Sequence, residues 1–300
     1  MTTLQEAPPA VPAGAAPRPS LAARAAARLA GGAARTVLLA AGLLWLVPTV
    51  GLLASSLRDP ADIQQSGWWH VLADPSRLTL HNYAALLSND AVTGSLANTV
   101  LITVPATVLV VLVASLAGYA FAWTEFPGRD WLFLLVVGLL VVPVQTALLP
   151  VSSLFGDLGI FGSITGVVLF HVAFGLPFAV FLLRNFFAEI PRELLEAARL
   201  DGAGELRLFL TVVLPLGGPA IAALSIFQFL WVWNDLLVAL IFADAGSAPI
   251  TVALQQQVRQ FGSNIDVLAS GAFLSMIIPL VVFFAFQKQF VNGVMAGSVK

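Results

Sequence analysis

The sequence predicts an all-α membrane protein with six transmembrane helices and both termini in the cytoplasm. Three observations lead to this fold class. The 300 residues are 59% hydrophobic but only 10% charged, whereas soluble domains carry about 25% charged residues. Six apolar segments are each long enough to cross, as a helix, a bilayer core about 30 Å thick. Lysine and arginine are distributed unevenly over the segments that connect them.

The six predicted spans are continuously apolar rather than alternating, which favours helices over strands. They cover residues 36–57, 95–122, 131–150, 163–187, 219–243 and 269–290. The segment 1–35 is rich in Ala and Pro and is expected to be a disordered cytoplasmic tail. The first apolar segment could also be a signal peptide, but its length and the residues before it favour a membrane span.

The orientation follows from the positive charges. With the N terminus inside, eleven of the 14 lysine and arginine residues lie on the inner side of the membrane. Cytoplasmic loops carry an excess of these residues. We therefore expect a multi-pass membrane protein with an even number of spans.

The composition also excludes several classes of function. A net charge of −2 offers no basic surface for nucleic acid, and the absence of cysteine removes disulfides and thiolate chemistry. The sequence has no HExxH or GxSxG motif for an intramembrane enzyme, and its three histidines are scattered. We therefore expect no catalytic residue and no metal site.

The first outer loop, residues 58–94, contains Trp68, Trp69 and His70. Aromatic residues at this position are typical of anchoring at the membrane interface. Stacking of these rings on a ligand is the alternative.

The inner loop of residues 188–218 is longer and more charged than a turn requires. Pro191 suits the start of a short helix, and the pair Asp201-Gly202 is a helix stop. Glu196 and Arg199 lie three residues apart and therefore on one face of this helix, and a second helix is predicted over residues 205–214. The spacing leaves two possibilities open: docking onto another protein, or packing against the membrane surface or the chain's own helices.

Part of this loop resembles the EAA motif. The motif residues are Glu196-Ala197-Ala198, Gly202, Val212 and Leu214-Pro215. The EAA motif marks permease subunits of ATP-binding-cassette importers, although the family usually has Ile where this chain has Val212. Further segments over residues 36–300 are similar to the carbohydrate branch of the family, of the maltose-type, six-span kind.

The resemblance implies the type I ABC importer permease fold, a location in the cell membrane of a prokaryote, and a set of partners. These are a second permease subunit forming a heterodimer, two cytoplasmic ATPase subunits that use ATP and Mg²⁺, an extracellular solute-binding protein, membrane lipid and a sugar substrate. No cofactor is expected on this chain, which lacks a GxxxxGK[ST] phosphate-binding loop. The resemblance also implies that the loop is a coupling helix and that residues 297–300 reach the ATPase interface. The residues implied in coupling are Glu193, Glu196, Ala197, Ala198, Arg199, Asp201, Gly202, Leu214 and Pro215.

Polar residues inside the predicted spans are candidates for the substrate pathway, because such residues are costly in a membrane unless they are paired or face water. They are Gln145, His171, Gln228, Trp231, Asn234 and Asp235. Spacing places Gln228, Trp231 and Asp235 on one helical face, and a sugar site combines aromatic faces with amide or carboxylate groups. Hydrogen bonding between helices is the alternative role.

Two functions therefore compete. The first is import of a sugar, in which this chain forms half of a membrane pathway and separate ATPase subunits drive transport. The second is ion-coupled secondary transport of a small polar solute. The secondary transporter would need several intramembrane carboxylates and repeated halves, but the predicted spans contain one aspartate and no visible repeat.

Overall fold

The computed structural model describes residues 21–261 and 265–296. Over these residues the chain is helical and contains no β-strand. Four helices are long and apolar enough to cross a membrane, and two bent pairs of helices bring the number of spans to as many as six. The predicted all-α membrane fold is confirmed, while the location of the termini stays a prediction. The described residues from Leu52 onward form one compact unit, and the contacts described below lie within it.

Helix α1, Leu21–Ser56, begins inside the segment that was expected to be disordered. All prolines of the first 35 residues precede Leu21, and the part that follows is rich in alanine, the strongest helix former. Residues 21–35 are therefore helical, whereas residues 1–20 lie outside the described part of the chain.

The outer loop after α1 consists mainly of short helices. These are α2, Pro60–Gln65, two 3-10 turns at Trp68–Leu72 and Pro75–Arg77, and α3, His81–Leu87. Asp59 caps α2, because its carboxylate accepts a hydrogen bond from the Ala61 N–H at 3.0 Å.

Helix α4, Asp90–Trp123, is continuous, but the next predicted span is not. Helices α5, Arg129–Leu139, and α6, Val144–Asp157, meet at an angle of 103°. The expected continuous span 131–150 is interrupted because Pro143 has no backbone N–H and disfavours helical geometry at the residue before it.

Helix α7, Ile164–Ala188, leads into the long inner loop, which is almost entirely helical. The loop contains α8, Arg192–Leu200, α9, Glu205–Leu208, a π-helical turn at Phe209–Val213, and α10, Leu214–Leu216. The second helix predicted in this loop is therefore present, but it passes through a π turn and ends two residues later than expected.

The chain continues through α11, Gly218–Trp233, α12, Leu237–Phe242, α13, Ile250–Phe261, and α14, Ile265–Ala296. The predicted span 219–243 is interrupted at residues 234–236. The Asn234 amide donates to the Leu230 carbonyl at 2.8 Å, and the Asp235 carboxylate accepts from α12. Short polar side chains of this kind compete with helical backbone hydrogen bonds, which explains the break. Hydropathy alone indicates neither this break nor α13.

The most extensive contact between helices is that of α4 with α7. Close approach depends on Gly118, where an added Cβ would lie 3.0 Å from the backbone nitrogen of Arg184. Leu195 of α8 and Leu208 of α9 belong to the same apolar core and are fully buried. The inner loop is thus packed directly on one end of the α4–α7 pair.

Candidate functional site

Helix α8 has one buried face and one exposed face. Leu195 is fully buried in the core, whereas Leu194 and Leu200 are 46% and 89% exposed. The exposed residues of α8 and its helix stop, which we call the loop surface, are Arg192, Glu193, Leu194, Glu196, Ala197, Arg199, Leu200, Asp201 and Gly202. The helix therefore packs under its own bundle with one face and leaves the opposite face exposed.

Not all of the residues that the resemblance implies in coupling are exposed. Of the small pair, Ala197 is exposed, whereas Ala198 is half-buried against the core, so only Ala197 is available for close approach by another protein. Leu214 is also half-buried against the core, and Pro215 is exposed in α10. Leu214 therefore contributes to anchoring the loop and lies apart from the loop surface.

Gly202 ends α8 in a left-handed conformation with φ of 82°. Its N–H donates to the Arg199 carbonyl at 3.0 Å, and the Ala203 N–H donates to the Ala198 carbonyl at 3.0 Å. These bonds satisfy carbonyls that a helix end leaves unpaired. Gly202 thereby fixes the angle at which the chain leaves α8.

For the permease subunit that the resemblance implies, we expect Gly202→Asp to abolish uptake while the protein still inserts into the membrane. A side chain at this φ costs about 1 kcal/mol, and the aspartate adds a negative charge to the loop surface. Gly204→Asp is the matched control, because Gly204 has a φ of −72° and open space around it. Equal loss of uptake in both variants, at equal membrane abundance, would contradict the role of Gly202.

The polar contacts of α8 differ from those suggested by its spacing. Arg199 pairs with Glu205, with 3.2 Å between Arg199 Nη2 and Glu205 Oε1, although the sequence spacing placed Arg199 beside Glu196. The Tyr119 hydroxyl of α4 also donates to Glu205. Sequence spacing does not single out Glu205, because its partners lie on α8 and α4.

A cavity of about 140 Å³ lies between α8 and the turn from α4 to α5. It is lined by Ala122, Trp123, Glu125, Arg129, Arg192, Glu196 and Arg199. Three arginines from two inner loops of the predicted topology therefore meet at the end of the bundle that carries the loop surface.

The polar residues of the predicted pathway are placed in different environments. His171 Nε2 of α7 lies 3.6 Å from Asp235 Oδ2, and both side chains are largely buried. The Asp235 carboxylate also accepts hydrogen bonds from the Val238 and Ala239 N–H groups of α12 at 3.3 and 3.0 Å. Asp235 therefore caps α12 at the break in the fifth span, and the predicted single helical face with Gln228 and Trp231 is wrong.

Gln228 is fully buried where α11 contacts α7. A Cβ added at Gly175 would lie 2.8 Å from Gln228 Nε2, so the glycine makes room for this amide. Within the described part of the chain, neither polar atom of the Gln228 amide has a hydrogen-bond partner. An unpaired buried amide is costly, which makes Gln228 the most unusual polar group of this region.

Trp231 is 40% exposed and lines an apolar cavity of about 640 Å³. The cavity lies at the break between α5 and α6, and its walls come from α5, α6, α7 and α11. The lining residues are Leu139, Leu140, Val142, Val144, Phe174, Pro177, Phe178, Phe227, Leu230 and Trp231. Its volume is in the range of small-molecule sites. Gln145 and Asn234 are exposed and do not line this cavity.

The outer loop is held by a buried arginine. Arg58 is 2% exposed and donates to the carbonyl oxygens of Asp62 and Ser66 at 2.7 and 3.1 Å. Next to it, the Ser76 hydroxyl and Arg77 lower the pKa of the Asp74 carboxyl by donating to it. Within this folded loop the ring of Trp69 packs against the rings of Trp68 and His70.

Comparison with known proteins identifies a family and several relatives. Residues 98–295 match the family model described as the binding-protein-dependent transport system inner membrane component. The chain is 47% identical over 268 residues to the osmoprotective compounds uptake permease protein GgtD of Synechocystis sp., covering 88% of this chain and 90% of the relative. It is 46% identical over 233 residues to the alpha-glucoside transport system permease protein AglG of Rhizobium meliloti, covering 75% of this chain and 61% of the relative.

A more distant relative and a solved structure agree with this result. The trehalose transport system permease protein SugB of Mycobacterium tuberculosis is 31% identical over 259 residues, covering 85% of this chain and 92% of the relative. A chain of a bacterial ABC transporter that imports the polysaccharide alginate has the same fold. Its TM-score is 0.76 at 22% identity, covering 92% of this chain and 99% of that chain.

Proposed function

The chain belongs to the family of binding-protein-dependent transport system inner membrane components, and we propose that it forms half of the membrane pathway of a sugar importer. Such a chain is an ABC transporter permease of the inner membrane. It neither forms nor breaks a covalent bond. The observation that carries the proposal is the loop surface, because α8 is anchored on the α4–α7 core by Leu195 and still exposes Glu196 and Ala197.

Two separate ATPase subunits are the proposed source of energy. We propose that one of these subunits docks on the loop surface. The surface combines the exposed leucines Leu194 and Leu200 with charges of both signs. A central apolar contact surrounded by charges is the usual composition of a protein interface. In this proposal ATP and Mg²⁺ are bound by the ATPase subunits, and this chain binds neither.

The remaining partners are a second permease subunit, which completes the pathway, and an extracellular protein that delivers the sugar. A related solved transporter was crystallised in complex with an alginate pentasaccharide-bound periplasmic protein, which supports delivery by a binding protein. Closure of the ATPase subunits on ATP would displace α8 as a rigid body, and the helices would then alternate between inward and outward openings.

A sugar is the proposed substrate class, and the names of several relatives support it. They include permeases for alpha-glucosides, arabinooligosaccharides, melibiose, raffinose and stachyose, and trehalose. The cavity lined by Trp231 supplies an aromatic face of the kind that stacks on sugar rings, together with enough volume for a small saccharide. The side chains of His171, Gln228 and Asp235 are largely buried and do not line this cavity, and we propose that they position the helices that form its wall.

We expect Trp231→Ala to lower the maximum rate of sugar uptake about fivefold, because an aromatic contact contributes about 1 kcal/mol. The sugar concentration for half-maximal uptake should change little, since the binding protein captures the sugar first. Trp131→Ala is the control, because Trp131 on α5 is 78% exposed and does not line the cavity. An unchanged rate in Trp231→Ala at equal abundance would contradict a substrate contact.

Purification and reconstitution test the proposed function as a whole. We expect the chain to co-purify with an ATPase subunit and a second permease subunit. Proteoliposomes containing this complex should accumulate radiolabelled trehalose, an alpha-glucoside or an arabinooligosaccharide only with the binding protein and ATP. Uptake driven by an ion gradient without ATP would instead support a secondary transporter.

A further inference from the structure

Glu205 lies where three parts of the molecule meet. It is the first residue of α9, and its carboxylate accepts the hydroxyl hydrogen bond of Tyr119 from α4. Arg199, in the last turn of α8, donates to the same carboxylate through Nε at 3.2 Å and Nη2 at 3.4 Å. We call Tyr119, Arg199 and Glu205 the Glu205 bridge.

The bridge continues to the ends of two long helices. Arg199 Nη2 also lies 3.5 Å from the carbonyl oxygen of Trp123, the last residue of α4. The indole N–H of Trp123 donates to the Phe187 carbonyl near the end of α7 at 2.8 Å. Polar contacts therefore lead without interruption from α8 to α4 and α7.

Apolar contacts attach the loop to the bundle alongside the bridge. Leu195 and Leu208 are fully buried, and the ring of Tyr119 lies 5.3 Å from that of Phe209. Hydrophobic burial is non-directional, whereas hydrogen bonds depend on distance and angle. The bridge supplies the directional contacts between α8 and the bundle.

We propose that Glu205 is a positioning residue that holds α8 in a fixed orientation on α4, so that movement of the loop surface is passed to α4 and α7. The proposal rests on the proposed function, because it needs an ATPase subunit to move the loop. The side chains of Arg199 and Glu205 are 39% and 53% exposed, and pairs of this kind contribute little to stability. Loss of the bridge should therefore affect coupling more than folding.

The experiment measures how many sugar molecules are transported per ATP hydrolysed. The complete complex is reconstituted with its ATPase subunits and binding protein, and contains Tyr119→Phe, Glu205→Ala or both. We expect each single variant to lower this ratio at least about threefold, while the ATPase subunits remain bound and basal ATP hydrolysis continues. The ratio of sugar transported to ATP hydrolysed should be no lower in the double variant than in either single variant, because both changes break one connected contact. Glu205→Gln keeps an acceptor for the Tyr119 hydroxyl, so this variant should lower the ratio less than Glu205→Ala does.

The chain offers matched controls. Tyr83 is the other tyrosine, and its hydroxyl contacts Ser56 Oγ at 2.8 Å in the outer loop, so Tyr83→Phe should leave the ratio unchanged. Glu189→Ala removes an exposed carboxylate just after α7 and should also leave it unchanged.

Three results would overturn the proposal. The first is an unchanged ratio in Tyr119→Phe and Glu205→Ala with complete assembly. The second is a loss that follows reduced abundance or reduced ATPase binding, because this would show that the bridge only maintains the fold. The third is a wild-type chain that binds no ATPase, which would overturn the proposed function and the bridge with it.

Discussion

Glu196→Lys is expected to abolish sugar uptake while the protein remains inserted in the membrane. Glu196 is exposed on α8, between the exposed Ala197 and the buried Leu195 that anchors the helix. Reversal of a charge inside a docking interface places like charges together and costs several kcal/mol. Since 1.4 kcal/mol corresponds to a factor of ten in binding, uptake should fall at least about tenfold.

Glu189→Lys is the matched control for this charge reversal. Glu189 is also exposed and follows the end of α7, three residues before α8 begins. Uptake, membrane abundance and co-purification of the ATPase should be measured together for both variants. Normal uptake with intact ATPase binding in Glu196→Lys would contradict the docking role of the loop surface.

Asp235→Ala is expected to lower uptake at least about tenfold at equal membrane abundance. The carboxylate caps α12 by accepting two backbone N–H hydrogen bonds and lies 3.6 Å from His171, and the loss of hydrogen bonds to a carboxylate costs about 2 kcal/mol. The backbone carbonyl of Asp235 still accepts the Thr251 hydroxyl hydrogen bond at 2.6 Å. Because this contact survives the substitution, the chain should still assemble.

Uptake of radiolabelled sugar, normalised to the amount of assembled complex, shows whether Asp235 acts in transport or only in maintaining the fold. Asp157→Ala is the control, since Asp157 is an exposed carboxylate at the end of α6. If uptake of Asp235→Ala falls only in proportion to the amount of assembled complex, Asp235 maintains the folded state alone, and the proposal that it positions the cavity wall for transport is contradicted.

Local signals predicted α8 well. Pro191 precedes its first residue, and Gly202 takes the left-handed conformation that the sequence pattern Asp-Gly indicates. Both signals act within one turn of a helix, so they can be interpreted without knowledge of the rest of the fold. The apolar segments are similarly informative, because hydropathy over about 20 residues reports the membrane environment directly.

Features that depend on distant residues were not predictable in this way. Hydropathy is the same for a straight span and for the bent pair of α5 and α6, so it does not indicate the 103° bend. Helical spacing assumed that α11 continues to Asp235, although it ends at Trp233. The partners of Glu205 lie 86 residues away on α4 and six residues away on α8, and no local pattern brings them together.

Site-specific cross-linking tests most directly whether the loop surface is the contact with the ATPase. The natural chain has no cysteine, so Ala197→Cys introduces a single reactive thiol on the loop surface. With a bifunctional cross-linker in assembled complexes, we expect a product with the ATPase subunit for Ala197→Cys. We expect no such product for Ala73→Cys, which lies in the outer loop. Active complexes in which Ala197→Cys forms no product with the ATPase, or in which Ala73→Cys does, would contradict the account.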